Sequence, residues 1–283
     1  MTFLLSAILA AAFAAAPNVP EGWTDGYVMA NGIRIHYWRT GGAKPPLLMA
    51  HGSSDDGLCW TNLARELVND FDVVMWDARG HGLSDPPRAG DAPDAMVEDM
   101  AGLIRELKLV KPVIMGHSMG SATAAWFAAK YPDVPRAVIL EDPFLGGRRP
   151  GNSSADREKR RADTLARNNM TLDQLVEGCM KNSPKWGLSE CQYWAPSKRR
   201  HHPDTSLASL GARPAMKDLF AKITAPTLII KADAPPEVRK ENEAVTAVLK
   251  DGRIVHVDGA GHNVRREGKA ATIAALKQFF GRL

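Results

Sequence analysis

Residues 112–130, PVIMGHSMGSATAAWFAAK, run from a short apolar segment into a helix-forming one through the motif Gly-x-Ser-x-Gly at 116–120. A motif this short recurs by chance and means little alone. Here it lies between a strand-like and a helix-like segment, the context that it requires, because only small residues fit around so tight a turn. Such a turn lifts the hydroxyl of Ser118 above the end of a sheet. Ser118 is therefore the candidate nucleophile, and the alternative is an inert serine in a glycine-rich turn.

His262 is the candidate base that would activate Ser118. A serine hydroxyl is a poor nucleophile at neutral pH and needs a base within hydrogen-bond reach. Of the eight histidines, His262 is the one on a short loop between the last strand-like run, 254–257, and the closing helical segment. His256 lies inside that run and is better explained by packing.

Outward from the motif, short apolar runs alternate with helix-length segments. The strand-like runs are 33–37, 46–50, 73–76, 112–115, 137–140, 227–230 and 254–257, and the helical segments are 59–69, 94–107, 121–130, 237–249 and 269–280. Strands buried on both faces that alternate with helices predict an α/β protein with a mostly parallel, doubly wound sheet. The alternation stops between Phe144 and about Ala221, where only charged, helix-like segments occur. We therefore expect a core of residues 17–143 and 222–283 and an inserted helical cap over 144–221.

The motifs and their order are similar to those of the α/β-hydrolase family of serine hydrolases. Residues 50–54 (AHGSS) resemble its oxyanion loop, 77–84 (DARGHGLS) its D-x-R-G-x-G-x-S turn, and 226–230 (PTLII) the strand before its usual acid. The resemblance covers roughly residues 23–143 and 222–283, together with a cap of the expected position and size. It implies an α/β-hydrolase fold and an oxyanion hole formed by the backbone N–H groups of Ser53 and Met119.

The acid that would orient His262 has more than one candidate. The family usually places it after the penultimate strand in a Gly-x-x-Asp pattern, and the segment here departs from that pattern. Asp233 lies in this segment, 29 residues before His262, and this spacing is similar to that of the family. Asp142 ends the preceding strand, where some members of the fold keep their acid, and Glu141 precedes it. The sequence favours Asp233 and keeps Asp142 as the main alternative.

These residues predict acyl transfer to water. Ser118 would attack a carbonyl carbon while His262 takes its proton, and His262 would then activate water to hydrolyse the acyl-enzyme. Carboxylic esters and lactones are the expected substrates. One alternative is cofactor-free cleavage of a carbon–carbon bond beside a carbonyl by the same triad. The other is a non-catalytic binding protein on the same scaffold, although such proteins commonly lose the serine or the base.

The cap and its aromatic residues bear on the substrate. Trp60, Trp186 and Trp194 are candidates to line an acyl pocket, although packing explains each of them as well. Residues 148–200 carry twelve Lys or Arg against six Asp or Glu. This charge could steer anionic substrates, and the SKRR segment at 197–200 could meet a substrate carboxylate, whereas a solvated helical surface is the simpler interpretation. Arg265 and Arg266 are expected to be solvated at a helix start.

Composition excludes several classes of protein. The chain has 283 residues, 45% of them hydrophobic and 24% charged, which is typical of a globular protein and not of a disordered one. A net charge of +4 is too small to indicate a nucleic-acid partner. The sequence contains no H-E-x-x-H, no cysteine pair at metal-ligand spacing and no P-loop. We therefore expect a small-molecule substrate, no metal and no cofactor.

The first 16 residues are a separate question. Residues 3–16 form an apolar stretch with the length of a secretory signal, and 12–14 (AFA) offer a cleavage site, but no Lys or Arg precedes it. Residues 1–16 are therefore either a signal peptide of a secreted or periplasmic protein, without membrane insertion after processing, or the N-terminal helix of a cytoplasmic one. The three cysteines allow at most one disulfide, and Cys179 with Cys191 is the conceivable pair in an oxidising compartment.

Overall fold

One eight-stranded sheet organises the molecule. The computed structural model describes residues 19–88, 90–146, 153–206 and 213–283, so the segment 1–16 lies outside the described residues. The strands are β1 (Thr24–Ala30), β2 (Ile33–Arg39), β3 (Pro46–Ala50), β4 (Asp72–Trp76), β5 (Val113–His117), β6 (Ala137–Glu141), β7 (Thr227–Lys231) and β8 (Gly252–His256). Their order is β1-β2-β4-β3-β5-β6-β7-β8. This confirms the α/β fold with a mostly parallel sheet.

The strand directions decide where a site can form. Strands β3 to β8 pair in parallel, and among the described strands only the β1–β2 and β2–β4 pairs are antiparallel. All residues of β4, β5 and β6 are buried, as expected for strands covered on both faces. The carboxyl ends of parallel strands meet at one edge of the sheet, so the loops after β3, β5, β6 and β7 converge there.

Helices cover both faces of the sheet and its carboxyl edge. They are α1 (Thr61–Leu67), α2 (Ala95–Glu106), α3 (Met119–Lys130), α4 (Ser154–Asn168), α5 (Leu172–Asn182), α6 (Gly187–Arg200), α7 (Met216–Phe220), α8 (Pro236–Thr246), α9 (Val264–Glu267) and α10 (Lys269–Phe280), with short 3₁₀ turns at Gly57–Trp60 and Pro203–Ser206. No described helix is long and apolar enough to cross a membrane.

The helices between β6 and β7 divide into two groups. Helices α4, α5 and α6 pack largely on one another, and α5 and α6 enclose a small apolar cluster of their own. A disulfide between Cys179 of α5 and Cys191 of α6 joins these two helices. Helix α7 differs, because its Met216, Leu219 and Phe220 belong to the apolar cluster of the main core. The covering layer is therefore α4 to α6.

Candidate active site

Ser118 lies at a sharp turn between β5 and α3. Its backbone has φ = 50° and ψ = −107°, a left-handed conformation that a residue other than glycine rarely adopts. Both motif positions require glycine because a side chain would collide with the backbone. A Cβ on Gly116 would lie 2.2 Å from the carbonyl oxygen of Gly120, and a Cβ on Gly120 would lie 2.1 Å from the carbonyl oxygen of Ala50. The turn is therefore as tight as the motif predicts, and it places Ser118 at the carboxyl edge of the sheet.

His262 lies on the loop between β8 and α9, and its partner is Asp142. Nδ1 of His262 is 2.6 Å from Oδ2 of Asp142, the residue that directly follows β6. The other carboxylate oxygen accepts from the Lys231 ammonium at 2.5 Å and from the Ala232 amide at 3.2 Å. Because Asp142 engages Nδ1, the nitrogen left to act as a base is Nε2.

The carboxylate of Asp142 is held in its charged form. Burial raises the pKa of this carboxyl, but the hydrogen bonds from His262 and Lys231 outweigh that effect and bring the pKa to about 2. Asp142 is thus an anion at neutral pH. Such an anion fixes the orientation of the imidazole and stabilises the imidazolium that forms when the ring takes a proton.

The structure contradicts the expected pairing of His262 with Asp233. The Asp233 carboxylate instead accepts from the amide of Gly259 at 2.7 Å and from the Arg239 guanidinium at 2.5 Å, and its side chain is 44% exposed. These two donors hold the Asp233 carboxylate away from His262, whereas Asp142, at the end of the strand beside that of Ser118, contacts the imidazole. The third candidate, Glu141, is buried and pairs with Arg265 at 2.9 Å.

The two residues of the expected oxyanion hole are neighbours of Ser118: Met119 follows it in the chain, and Ser53 lines the same cleft. Met119 is the first residue of α3, so its N–H has no partner within the helix and points along the positive end of the helix dipole. Ser53 follows Gly52, and a Cβ on Gly52 would lie 3.5 Å from the Ser118 Cβ. The geometry is compatible with two donors on one side of the hydroxyl.

A cleft of about 300 Å³ opens in front of these groups. Its lining includes Ser118 and His262 from the core, together with Trp186 and Trp194 from α6 and its approach. Trp60 is different: it is fully buried in the core cluster below, where the Arg265 guanidinium stacks on its ring at 4.0 Å. Trp60 is therefore a core residue and not part of the cleft lining.

His117, the residue before Ser118, is hydrogen-bonded to the loop that carries His262. Its Nε2–H donates to the carbonyl oxygen of His262 at 3.0 Å, and the two rings lie 4.9 Å apart. Burial lowers the pKa of His117 to about 4, so the ring is neutral at pH 7. No role for this residue was predicted from the sequence, although its place inside the motif was a visible signal.

A buried group of charges surrounds Asp55, and sequence reasoning missed it. The Asp55 carboxylate accepts from Lys198 at 2.7 Å and from Arg266 at 2.9 Å, and Arg265 lies 3.7 Å away. The two arginines are only 3% and 5% exposed, so the expectation that they are solvated is wrong. Their partners are distant in sequence, for example 211 residues between Arg266 and Asp55, and no local pattern indicates such pairs.

Comparison with known proteins agrees with this architecture. The sequence model of the α/β hydrolase fold family matches residues 45–264, which are most of the chain. The chain belongs to the α/β hydrolase fold family. The family supports a hydrolytic enzyme that acts on a small molecule. Among the described residues, no group of three His, Cys, Asp or Glu side chains could hold a metal ion.

Several members of the α/β hydrolase family are similar to this chain over most of its length. The 2-(acetamidomethylene)succinate hydrolase of Mesorhizobium japonicum is 28% identical over 252 residues, which are 85% of this chain and 90% of that protein. The structure of an N-formylmaleamic acid deformylase from Pseudomonas putida superposes with a TM-score of 0.73 at 25% identity and covers 90% of this chain and 100% of its own. A thermophilic esterase from Thermogutta terrifontis superposes with a TM-score of 0.69 at 25% identity, covering 92% of this chain and 98% of its own.

Proposed function

We propose that this α/β hydrolase cleaves a small carbonyl compound through an acyl-enzyme on Ser118. The observation that carries the proposal is the hydrogen bond between His262 and Asp142 at the edge of a cleft that also contains the strained turn of Ser118. Serine, histidine and aspartate arranged in this way convert a weak hydroxyl nucleophile into an effective one.

Each group has a step in the proposed reaction. Nε2 of His262 takes the proton of Ser118 as the hydroxyl oxygen attacks the carbonyl carbon, and Asp142 stabilises the resulting imidazolium. The amides of Ser53 and Met119 donate hydrogen bonds to the negative oxygen of the tetrahedral intermediate. His262 passes the proton to the leaving group, and a water molecule activated by the same imidazole then releases the acid.

Esters and lactones are the proposed substrates, and simple amides are a second class. The esterase from Thermogutta terrifontis supports the first class at the level of the whole fold. The second class is favoured by the names of the other two relatives, since acetamido and N-formyl groups are amides. Carbon–carbon cleavage uses the same triad and is an outcome that the test must be able to reveal.

A fluorophosphonate probe tests the nucleophile without knowledge of the substrate. We expect the wild-type protein to be labelled, Ser118→Ala to remain unlabelled, and Ser189→Ala, which changes an exposed serine of the cap, to be labelled as fast as wild type. A folded wild-type protein that is not labelled, or Ser118→Ala that is labelled equally, would contradict the proposal.

A panel of substrates, tested with the same three proteins, identifies the substrate class. It contains p-nitrophenyl esters of graded chain length, several lactones, N-formyl and N-acetyl amides, and a β-diketone for carbon–carbon cleavage. We expect turnover of esters or lactones that disappears in Ser118→Ala. Turnover confined to the β-diketone would replace ester hydrolysis by the carbon–carbon reaction.

A further inference from the structure

Lys198 of the cap has all its hydrogen-bonding capacity engaged by one loop of the core. Its ammonium donates to the carbonyl oxygen of Ser54 at 2.6 Å, to the hydroxyl of Ser54 at 3.0 Å and to the carboxylate of Asp55 at 2.7 Å. An ammonium has three donors, so none remains for a substrate. The residue is 2% exposed, although it lies in a segment of the cap that is rich in positive charge. Lys198 therefore has no free N–H group with which to bind a substrate carboxylate, a role that the sequence had suggested.

The loop that Lys198 holds carries one of the oxyanion donors. Ser54 follows Ser53 and has φ = 63°, a left-handed conformation that costs free energy for any residue with a side chain. The Ser197 hydroxyl donates to the Trp194 carbonyl oxygen at 2.6 Å and shares this hydrogen with the Ser54 carbonyl oxygen at 3.2 Å. Two neighbouring side chains of α6 thus contact the carbonyl oxygen of Ser54, the residue next to Ser53.

Asp55 links the same loop to the segment of the base. Arg266, four residues after His262, donates to Oδ2 of Asp55 at 2.9 Å, while Lys198 donates to Oδ1. Burial raises the pKa of Asp55, but Arg266, Lys198 and Arg265 together hold it well below its usual value. Without Lys198, the buried carboxylate would still have two arginines beside it, so a variant at 198 need not lose its fold.

We propose that Lys198 is a positioning residue that holds the Ser53 amide in place for the oxyanion, so that the cap completes the oxyanion hole. This inference rests on the proposed function. An oxyanion donor acts on charge that develops only in the transition state, so its displacement lowers kcat and leaves substrate binding nearly unchanged. A residue that binds a substrate carboxylate would instead raise KM, and only for anionic substrates.

Three variants separate these roles. Lys198→Met removes the ammonium and keeps the length of the side chain, and Ser197→Ala removes one neutral hydrogen bond to the same carbonyl oxygen. Lys181→Met, on the neighbouring cap helix α5 and exposed, is the matched control for loss of a positive charge. Three quantities are measured. They are kcat per active site titrated with the fluorophosphonate, KM for the best substrate of the panel, and the second-order rate constant for labelling of Ser118.

We expect Lys198→Met to lower kcat and the labelling rate constant by about 10–10² fold, less than the roughly 10²–10³ fold for removal of an oxyanion donor because the amide is displaced and not removed, with KM within about twofold of wild type. Ser197→Ala should lower both rates about threefold, and Lys181→Met should change neither. If Lys198→Met does not fold, Ser197→Ala decides alone, and unchanged rates in that variant overturn the inference.

Other outcomes overturn the inference while leaving the proposed function intact. A raised KM at normal kcat would make Lys198 a substrate contact. Full kcat per titrated site, with fewer sites titrated, would make it a purely structural residue. A wild-type protein that the probe does not label refutes the proposed function itself, and the labelling step reveals this before any variant is compared.

Discussion

At the scale of single residues, two aspartates at one sheet edge have different surroundings. The Asp142 side chain is 11% exposed and lies between an imidazole and an ammonium, whereas that of Asp233 is 44% exposed and bound to a surface arginine. A carboxylate that orients a base must contact it, and only Asp142 does so. The local sequence around Asp233 looks more like the usual pattern, yet contact decides the role.

The roles of the two aspartates can be separated by isosteric substitution. Asp142→Asn should lower kcat by about 10³–10⁴ fold, because the equivalent change in a serine protease leaves the imidazole in the wrong tautomer and costs about 10⁴. Asp233→Asn is the matched control and should stay within a few fold of wild type. Equal losses, or a larger loss in Asp233→Asn, would contradict the assignment, and circular dichroism shows whether each variant is folded.

At the scale of elements, three histidines connect the core with the cap. His51 follows β3, His81 follows β4 and His201 follows α6, and the ring centroids lie 4.9 Å apart for His51–His81 and 4.6 Å apart for His81–His201. Burial lowers the pKa of all three, for His201 to about 3, with the Lys198 ammonium acting in the same direction. At neutral pH the interface therefore contains three uncharged imidazole rings.

This interface should lose stability in acid. A histidine whose pKa is lower in the folded than in the unfolded state binds its proton preferentially when unfolded, so stability falls as the pH drops below about 6.5 and, for His201, continues to fall to about pH 3. Each such histidine contributes up to about 1.4 kcal/mol per pH unit in that window. Urea unfolding between pH 7 and pH 4 measures this slope.

A variant assigns part of that slope to one ring. His201→Gln should reduce the pH dependence of the free energy of unfolding by about 1 kcal/mol per unit, because an amide does not titrate there. His202→Gln changes the neighbouring histidine, which lies outside the stack, and should leave the slope as it is. The same slope in His201→Gln as in wild type would show that this ring does not carry the effect.

At the scale of the whole molecule, the cap has a small core that is separate from those of the sheet. Two large apolar clusters lie on the faces of the sheet, and the third, within the cap, contains Leu175, Val176, Cys179, Cys191 and Ala195 among its buried members. So few apolar residues bury little area, and the disulfide between α5 and α6 compensates by restricting the unfolded chain.

Removal of the disulfide should destabilise the cap measurably. A bridge that closes a segment of 12 residues is worth up to about 3 kcal/mol in the chain-entropy model. We expect the double variant Cys179→Ser, Cys191→Ser to unfold more easily in urea by about that amount and to be cleaved faster by protease within the cap. Dithiothreitol provides the control, since it should weaken wild type and leave the double variant unchanged. Equal stability of the two proteins without reductant would contradict the expectation.

Most of the sheet was predictable because its strands are short apolar runs between turns. Seven of the eight strands coincide with such runs, whereas β1, TDGYVMA, is partly exposed and carries no such pattern. The turn of Ser118 was predictable for a similar local reason, since Gly116 and Gly120 are required by contacts within a few residues and with the neighbouring strand. The charge cluster at Asp55 was not predictable, because each of its pairs joins distant segments.

By itself, the sequence determined which residues form the turn of Ser118 and which histidine follows the last strand. These features depend on neighbours along the chain, where spacing and residue type suffice. Only the tertiary structure decided that Asp142 and not Asp233 meets His262, and that Lys198 reaches the loop of Ser53 across the cleft. Both choices depend on how the loops after β6 and β7, and the cap, lie over the edge of the sheet. The contacts that select them join segments more than a hundred residues apart.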